Sequence, residues 1–287
     1  MQRVLKFGLS IVLGIFLSSG SAFAQGCPQA DGVNRVDGQL ECLVIQTTKP
    51  LNNQKTRNLL VYLHGDSSRG GLFDRHFKYF KPLASADTVF VGMIRPGYVD
   101  SKKNASSGDA MGGGDNYTAH NVDAVANALQ ALKTKYSARR LVVVGYSGGA
   151  ATAGVILGRH PALIDNAVLI ACPCDLTIRR QAWAKNVVRR SISPHEVVSS
   201  VFKTAQVTAI TGDADINATP EQVKGYITTL KARGVKARYL EVPQATHDAG
   251  ILGTKLLQDV VKAYLLKNRK NSAQISIWPA YLLPKTL

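Results

Sequence analysis

The sequence predicts an α/β fold with a mostly parallel central sheet, helices on both faces and a small cap insertion. Short apolar runs rich in β-branched residues alternate along the chain with segments of helical periodicity. Several runs are apolar at consecutive positions, which is typical of strands buried on both faces of a parallel sheet. With 287 residues, the chain is long enough for one such domain and short for two.

The predicted strands are apolar runs bounded by turn-forming residues, and the helical patterns lie between them. In the first helical pattern, Val122, Val125, Leu129 and Leu132 recur every three or four residues and form one apolar stripe. The strands cover residues 41–47, 58–63, 88–94, 140–144, 166–171, 206–211 and 236–242. The helices cover residues 120–136, 149–159, 219–232 and 253–266.

Two segments interrupt this alternation. Residues 95–119 are rich in Gly, Ser and Asn and are predicted to form a long surface loop. Residues 173–205 connect two predicted strands and carry several basic residues with Trp183. We interpret this second segment as a candidate cap over a site, although a solvated basic helix would explain it equally well.

The N-terminus predicts export. Residues 1–24 have a basic start, an apolar stretch at 7–17 and a small-residue exit that ends at Ala24, which together are typical of a secretory signal. The apolar stretch is short for a membrane span. We therefore expect a secreted or periplasmic α/β-domain over residues 25–287, with no membrane span once the signal is removed. An uncleaved anchor and a lipid anchor on Cys27 are the alternatives.

The cysteines are expected to form disulfides if the protein is exported to an oxidising compartment. The sequence has 4 cysteines, which allow three pairings. We favour Cys27 with Cys42, because this bond would tie the mature N-terminus to the first strand. Cys172 and Cys174 form either a local bridge or two buried thiols.

The formal net charge of +16 favours contact with anionic surfaces or substrates. The sequence has no zinc-finger spacing, RNA-binding aromatic motif or long Lys/Arg run, so we expect no nucleic-acid partner. Apart from Cys172 and Cys174, no Cys or His pair has the spacing of zinc ligands. A zinc site is therefore not expected, and no other metal or organic cofactor is implied.

Ser147 is the predicted nucleophile. It stands in Gly145-Tyr146-Ser147-Gly148-Gly149, between a predicted buried strand and a helix of small residues. A strand, a sharp turn and a helix are the context that the motif G-x-S-x-G requires, because crowding in the turn leaves room only for glycine. Such a turn places the serine hydroxyl beside a helix N-terminus, where backbone N–H groups point outward.

A serine nucleophile needs a base and a group that orients the base. Of the 6 histidines, only His247 follows the last predicted strand, and it is the predicted base. Asp213 and Asp215 both follow the preceding strand. We favour Asp215 as the acid, with Asp213 open as the alternative and Asp175 a more distant candidate.

The negative charge that forms on an attacked carbonyl oxygen also needs hydrogen-bond donors. The backbone N–H groups of Gly148 and Asp66 are the predicted oxyanion hole. His64-Gly65-Asp66 follows a strand, and Gly65 would allow the tight turn that aims the Asp66 amide. His64 is therefore interpreted as part of this loop and not as a base.

These motifs resemble those of the α/β-hydrolase superfamily of serine hydrolases. The resemblance extends over nearly the whole mature chain. The stretches Ser193-Pro194-His195-Glu196-Val197 and Thr211-Gly212-Asp213-Ala214-Asp215 are similar to prolyl-oligopeptidase-like catalytic domains, and that pattern implies Asp215 as the acid. No β-propeller is expected before the domain, and small esterases and dienelactone-hydrolase-like proteins are similar too. The latter use cysteine where this chain has Ser147.

The sequence thus predicts an exported serine hydrolase that cleaves a carboxylic ester through an acyl-enzyme. The expected partner is a small-molecule ester or a short peptide. A serine peptidase of the prolyl-oligopeptidase type is the first alternative. The second is a non-catalytic binding protein on a hydrolase fold, whose basic cap would recognise an anionic component of the cell envelope.

Overall fold

The computed structural model describes residues 27–48, 57–67, 72–111, 116–177 and 190–266. The expected signal at 1–24 and most of the basic part of the candidate cap, 178–189, lie outside the described residues. Among the helices that are described, none combines the length and the apolar character that a membrane crossing requires.

The core is one eight-stranded sheet with the strand order β1-β2-β4-β3-β5-β6-β7-β8. β2 is antiparallel to both of its neighbours, and every pair from β4 onward is parallel. The predicted mostly parallel sheet is therefore confirmed. The strands are β1 Arg35–Asp37, β2 Cys42–Thr47, β3 Asn58–Leu63, β4 Thr88–Met93, β5 Arg140–Tyr146, β6 Asn166–Ile170, β7 Gln206–Gly212 and β8 Lys236–Val242.

The burial of the strands explains why their sequences are apolar at consecutive positions. Every residue of β3, β4 and β6 is buried, because helices cover both faces of the sheet. β8 is the exception: it lies at the edge of the sheet and most of its residues are half-exposed. β1 was not predicted, since its three residues are too short to show a periodicity.

The predicted helices are also confirmed. Helices α1, α2 and α3 pack on one face of the sheet, whereas α4 packs on the other face with a 3₁₀ helix at Phe73–Tyr79. The small residues of α2 let it approach the sheet closely, and all of its residues from Gly148 to Gly158 are buried. The helices are α1 Ala119–Lys135, α2 Gly148–Arg159, α3 Pro220–Ala232 and α4 Lys255–Leu266.

The prediction of a surface loop at 95–119 is wrong in part. Arg95 and Tyr117 are completely buried, and Asn116 is nearly so. The segment has the composition of a loop, yet polar side chains in its described part bond to one another and to Asp66, which follows the carboxyl end of β3. It therefore contributes a buried polar layer and not only a surface connection.

Both cysteine pairs form disulfides. Cys27 is bonded to Cys42 at the start of β2, so the favoured pairing is confirmed. Cys172 is bonded to Cys174 directly after β6, and both of these residues are completely buried. The second bond therefore lies near the carboxyl ends of the parallel strands.

Candidate active site

Ser147 occupies a strained turn between β5 and α2. Its φ of 50° and ψ of −116° are unusual for a residue with a side chain, and such strain is concentrated at functional sites. Its N–H donates to Ile170 O of neighbouring β6 over 2.8 Å, which holds the turn. A Cβ at Gly145 would lie 2.4 Å from Gly149 O, and one at Gly149 would lie 2.2 Å from Leu63 O. Only glycine therefore fits at these two positions.

The structure brings Ser147, His247 and Asp215 together. Ser147 Oγ lies 2.9 Å from His247 Nε2, and His247 Nδ1 lies 2.8 Å from Asp215 Oδ2. The Asp215 side chain is buried, and its Oδ1 also accepts from the N–H groups of Asn217 and Ala218, each over 2.8 Å. The carboxylate is thus fixed from two directions. It can hold the imidazole with Nδ1 protonated and Nε2 free to accept the serine proton.

The other candidate acids lie elsewhere. Asp213 is exposed, and its Oδ1 accepts from Gln244 N over 2.6 Å, which supports the loop before His247. Asp175 lies after β6, where it accepts from Thr177 N. Among the described residues, neither carboxylate forms a hydrogen bond or ion pair with the His247 imidazole, so the geometry favours Asp215.

His64 is held as a structural link. Its Nε2 accepts from Arg95 N over 3.0 Å, so Nδ1 carries the proton and donates to Gly65 O over 2.7 Å. Burial, reinforced by the Arg95 charge, keeps the pKa of His64 well below its usual value. The imidazole is therefore neutral, and it connects the loop after β3 to the loop after β4.

The loop at His64–Asp66 packs directly on the nucleophile turn. A Cβ at Gly65 would lie 3.1 Å from Ser147 Cβ, and one at Gly148 would lie 2.3 Å from Asp66 Oδ1. The two predicted oxyanion residues, Gly148 and Asp66, are therefore neighbours beside Ser147. Three residues that contact the Asp66 carboxylate were not recognised in the sequence, namely Arg95, Tyr98 and Tyr117.

The position of Arg95 in the sequence could have indicated that it lies near the site. It follows the apolar run of β4 almost immediately, and the carboxyl ends of parallel strands are where open α/β sheets place their sites. The Gly- and Ser-rich sequence after it concealed this signal.

A cavity of about 90 Å³ opens beside the same loop. Leu72, Phe73 and Tyr146 contribute apolar surface to it, and Arg75 and His76 contribute nitrogen atoms. Arg75 Nε donates to His76 Nε2 over 3.1 Å. Burial, with a contribution from the Arg75 charge, lowers the pKa of His76 to about 4. At neutral pH the cavity wall therefore carries a neutral imidazole next to a guanidinium.

Comparison with known proteins identifies the class of the chain. Residues 110–266 match the model of the prolyl oligopeptidase family. The chain belongs to the prolyl oligopeptidase family. The matched segment contains Ser147, Asp215 and His247, whereas Asp66 and Arg95 lie before it. With this membership the chain is a serine hydrolase of the prolyl oligopeptidase and esterase class.

Solved structures of the same fold include esterases and peptidases. Est1E from Butyrivibrio proteoclasticus, with ferulic acid bound, is 15% identical with a TM-score of 0.60, over 81% of this chain and 98% of that one. Acylaminoacyl peptidase from Pyrococcus horikoshii is 14% identical with a TM-score of 0.60, over 79% of this chain but only 39% of that one. Esterase PE8 is 16% identical with a TM-score of 0.52, over 78% of this chain and 98% of that one.

At this level of identity, the likeness establishes the α/β-hydrolase fold, which confirms the predicted fold class. No curated protein is significantly similar to the chain in sequence.

Proposed function

We propose that this serine hydrolase cleaves a carboxylic ester through an acyl-enzyme on Ser147. The observation that carries the proposal is the continuous set of contacts from Asp215 through His247 to Ser147 Oγ, which lies on a strained turn. A non-catalytic protein would have no need to maintain both the strain and these contacts.

In the first half of the reaction, Ser147 Oγ attacks the ester carbonyl carbon and its proton passes to His247 Nε2. The N–H groups of Gly148 and Asp66 donate to the oxyanion, each being worth about 3 to 4 kcal/mol in such sites. When the intermediate collapses, the C–O bond to the alcohol breaks and His247 returns the proton to the leaving oxygen. Asp215 keeps Nδ1 protonated and stabilises the imidazolium.

In the second half, water attacks the acyl-enzyme. His247 accepts a proton from the water, the acid is released, and Ser147 recovers its hydroxyl. The two half-reactions together consume one ester and one water, and they need no cofactor.

An ester is favoured over a peptide by the extent of the structural likeness. The chain overlaps 98% of both Est1E and esterase PE8, whereas it overlaps 39% of the acylaminoacyl peptidase. The nearly complete overlap with two esterases supports an ester substrate. The corresponding test compares an acyl ester with a peptide amide of the same acyl group, and faster turnover of the amide would favour the peptidase alternative.

We also propose that the protein acts after export, as a secreted or periplasmic enzyme. The signal-like residues 1–24 and the bonds Cys27–Cys42 and Cys172–Cys174 support an oxidising compartment. Mass analysis of the protein from the culture medium or periplasm tests this, with an N-terminus near residue 25 expected. An intact N-terminus in the cytoplasm would contradict it.

The nucleophile is tested with a fluorophosphonate probe, which labels activated serines. We expect labelling of the purified protein and none of Ser147→Ala. Ser200→Ala is the matched control, because Ser200 is exposed at the end of a 3₁₀ helix, and it should label like the unmodified protein. Equal labelling of Ser147→Ala would end the proposal, whereas the absence of labelling in the unmodified protein would leave the binding-protein alternative.

A further inference from the structure

A buried charge cluster surrounds the side chain of Asp66. Asp66 Oδ1 accepts from the Arg95 guanidinium and from the Tyr98 hydroxyl, the latter over 2.9 Å. Asp66 Oδ2 accepts from the Tyr117 hydroxyl. The Asp66 side chain is 15% exposed and that of Arg95 is completely buried. The cluster therefore lies in a region of low dielectric constant, where charges act strongly on one another.

The carboxylate lies against the first residue of α2. A Cβ at Gly148 would be 2.3 Å from Asp66 Oδ1 and 2.5 Å from Oδ2, so the carboxylate packs on the Gly148 backbone. In the proposed reaction, Gly148 and Asp66 also supply the two N–H groups that bind the oxyanion. Asp66 thus brings both a backbone N–H donor and a negatively charged side chain to the proposed oxyanion site.

This arrangement creates an electrostatic conflict. A helix N-terminus contributes a positive charge of about half a unit, which favours an oxyanion, and a full negative charge beside it would outweigh that field. Two unit charges about 6 Å apart, at an effective dielectric constant of about 20, repel each other enough to slow a reaction about 100-fold. The Asp66 carboxylate therefore needs compensation if the reaction is to proceed.

Arg95 is placed to provide that compensation. Besides its bond to Asp66, its NH1 group donates to Asn116 Oδ1 over 3.1 Å and to Thr152 Oγ1 of α2 over 3.3 Å. Its Nε has no hydrogen-bond partner among the described residues. A buried ion pair with an unsatisfied nitrogen is a poor way to gain stability alone, which argues for a role beyond stability.

Among the described residues around Asp66, Arg95 is the source of positive charge. Tyr98 and Tyr117 donate neutral hydroxyls, burial raises the pKa of Tyr98, and nearby His64 is held neutral. Burial would raise the pKa of Asp66, but the Arg95 charge and the hydroxyl bonds outweigh it and lower that pKa. The carboxylate is thus ionised at neutral pH and paired with the Arg95 guanidinium.

We propose that Arg95 is a positioning residue for the hydrolysis, because it neutralises Asp66 and lets this carboxylate fix the His64–Asp66 loop against α2 without opposing the oxyanion. The inference rests on the proposed ester hydrolysis. It assigns Arg95 no contact with the substrate, since its guanidinium is buried behind the loop.

The test is a cycle of variants, Arg95→Met, Asp66→Asn and the double variant, assayed with p-nitrophenyl acetate between about pH 5.5 and 9. With Arg95→Met we expect kcat to fall about 100-fold, equivalent to about 2.7 kcal/mol, with little change in KM. The loss should shrink at low pH, where the uncompensated Asp66 becomes protonated. The double variant should recover kcat to within about fivefold, because it carries neither charge.

Arg159→Met is the matched control. Arg159 ends α2 and pairs with Asp123 over 2.7 Å, far along the helix from Gly148, so its loss should leave kcat unchanged. Circular dichroism and urea unfolding, measured on every variant, separate folding from catalysis.

A folded double variant that is as slow as Arg95→Met would overturn the proposal, because the cluster would then act through its shape. If Arg95→Met does not fold, the comparison of Asp66→Asn with the double variant decides. Without the carboxylate, removal of Arg95 should change kcat by less than about fivefold, and a loss near 100-fold would refute charge compensation. Failure of the proposed hydrolysis would be recognised earlier, as equal turnover by the unmodified protein and Ser147→Ala.

Discussion

Replacing Gly148 with alanine is expected to lower kcat between about 100- and 1,000-fold while the sheet stays folded. The new Cβ would lie 2.3 Å from Asp66 Oδ1 and 2.5 Å from Asp66 Cγ. Ordinary contact begins at 3.4 Å, so Asp66 or the start of α2 must move by about 1 Å.

The carboxylate cannot move alone, because the Arg95 guanidinium and two tyrosine hydroxyls hold it. The displacement is therefore transmitted to the backbone of Asp66 or Gly148, which are the proposed oxyanion donors. A misplacement of about 1 Å can cost about 100-fold in rate, and complete loss of one donor costs about 3 to 4 kcal/mol. The two limits define the expected range.

The assay is the steady-state hydrolysis of p-nitrophenyl acetate, with urea unfolding of the same samples. Gly225→Ala is the matched control, because a Cβ at Gly225 in α3 would meet nothing within 4 Å. It should keep kcat and gain up to about 1 kcal/mol of stability from helix propensity. A kcat of Gly148→Ala within about threefold of the unmodified value would refute the placement of the oxyanion site.

Three further predictions concern the acid, the first disulfide and the response to pH. Asp215→Ala should lower kcat about 10⁴-fold and Asp213→Ala less than about tenfold in initial-rate assays, and the reverse order would identify Asp213 as the acid. Replacing both Cys27 and Cys42 with alanine should lower the free energy of unfolding by about 3 kcal/mol, because the bond links residues 15 apart; urea unfolding checks this, and no change would contradict it. Stability should fall as pH drops from 6.5 towards 4, since the unfolded chain then binds a proton that folded His76, with its pKa lowered to about 4, does not. In thermal melts across this range His76→Gln should reduce the fall, and an identical pH profile would disprove the assignment.

Much of the fold could be predicted because the parallel strands are buried on both faces. Their apolar runs alternate with helical segments that each carry one apolar stripe. This pattern predicts β2 to β8 and helices α1 to α4. β1 escaped detection because three residues carry no usable period. The predicted order of strands also gave the triad candidates, because Ser147, Asp215 and His247 each follow the end of a predicted strand.

The buried part of the segment at 95–119 could not be predicted in the same way. Local composition indicates a loop there, but the burial of Arg95 depends on Asp66, which is 29 residues away in sequence. The residues alone also left Asp213 open beside Asp215 as the acid. The two carboxylates are two positions apart in sequence, and the turn after β7 directs the Asp215 side chain to His247 and the Asp213 side chain to Gln244 N.

The half-exposed edge strand β8 has a consequence for how the enzyme would lose activity. His247 follows β8, which is hydrogen-bonded to the sheet on one side through β7, whereas Ser147 follows the central strand β5. Edge segments open locally at a lower free energy than central strands. His247 is thus attached to the part of the sheet that opens first. On heating, activity should be lost when β8 separates from β7, before the core of the sheet unfolds.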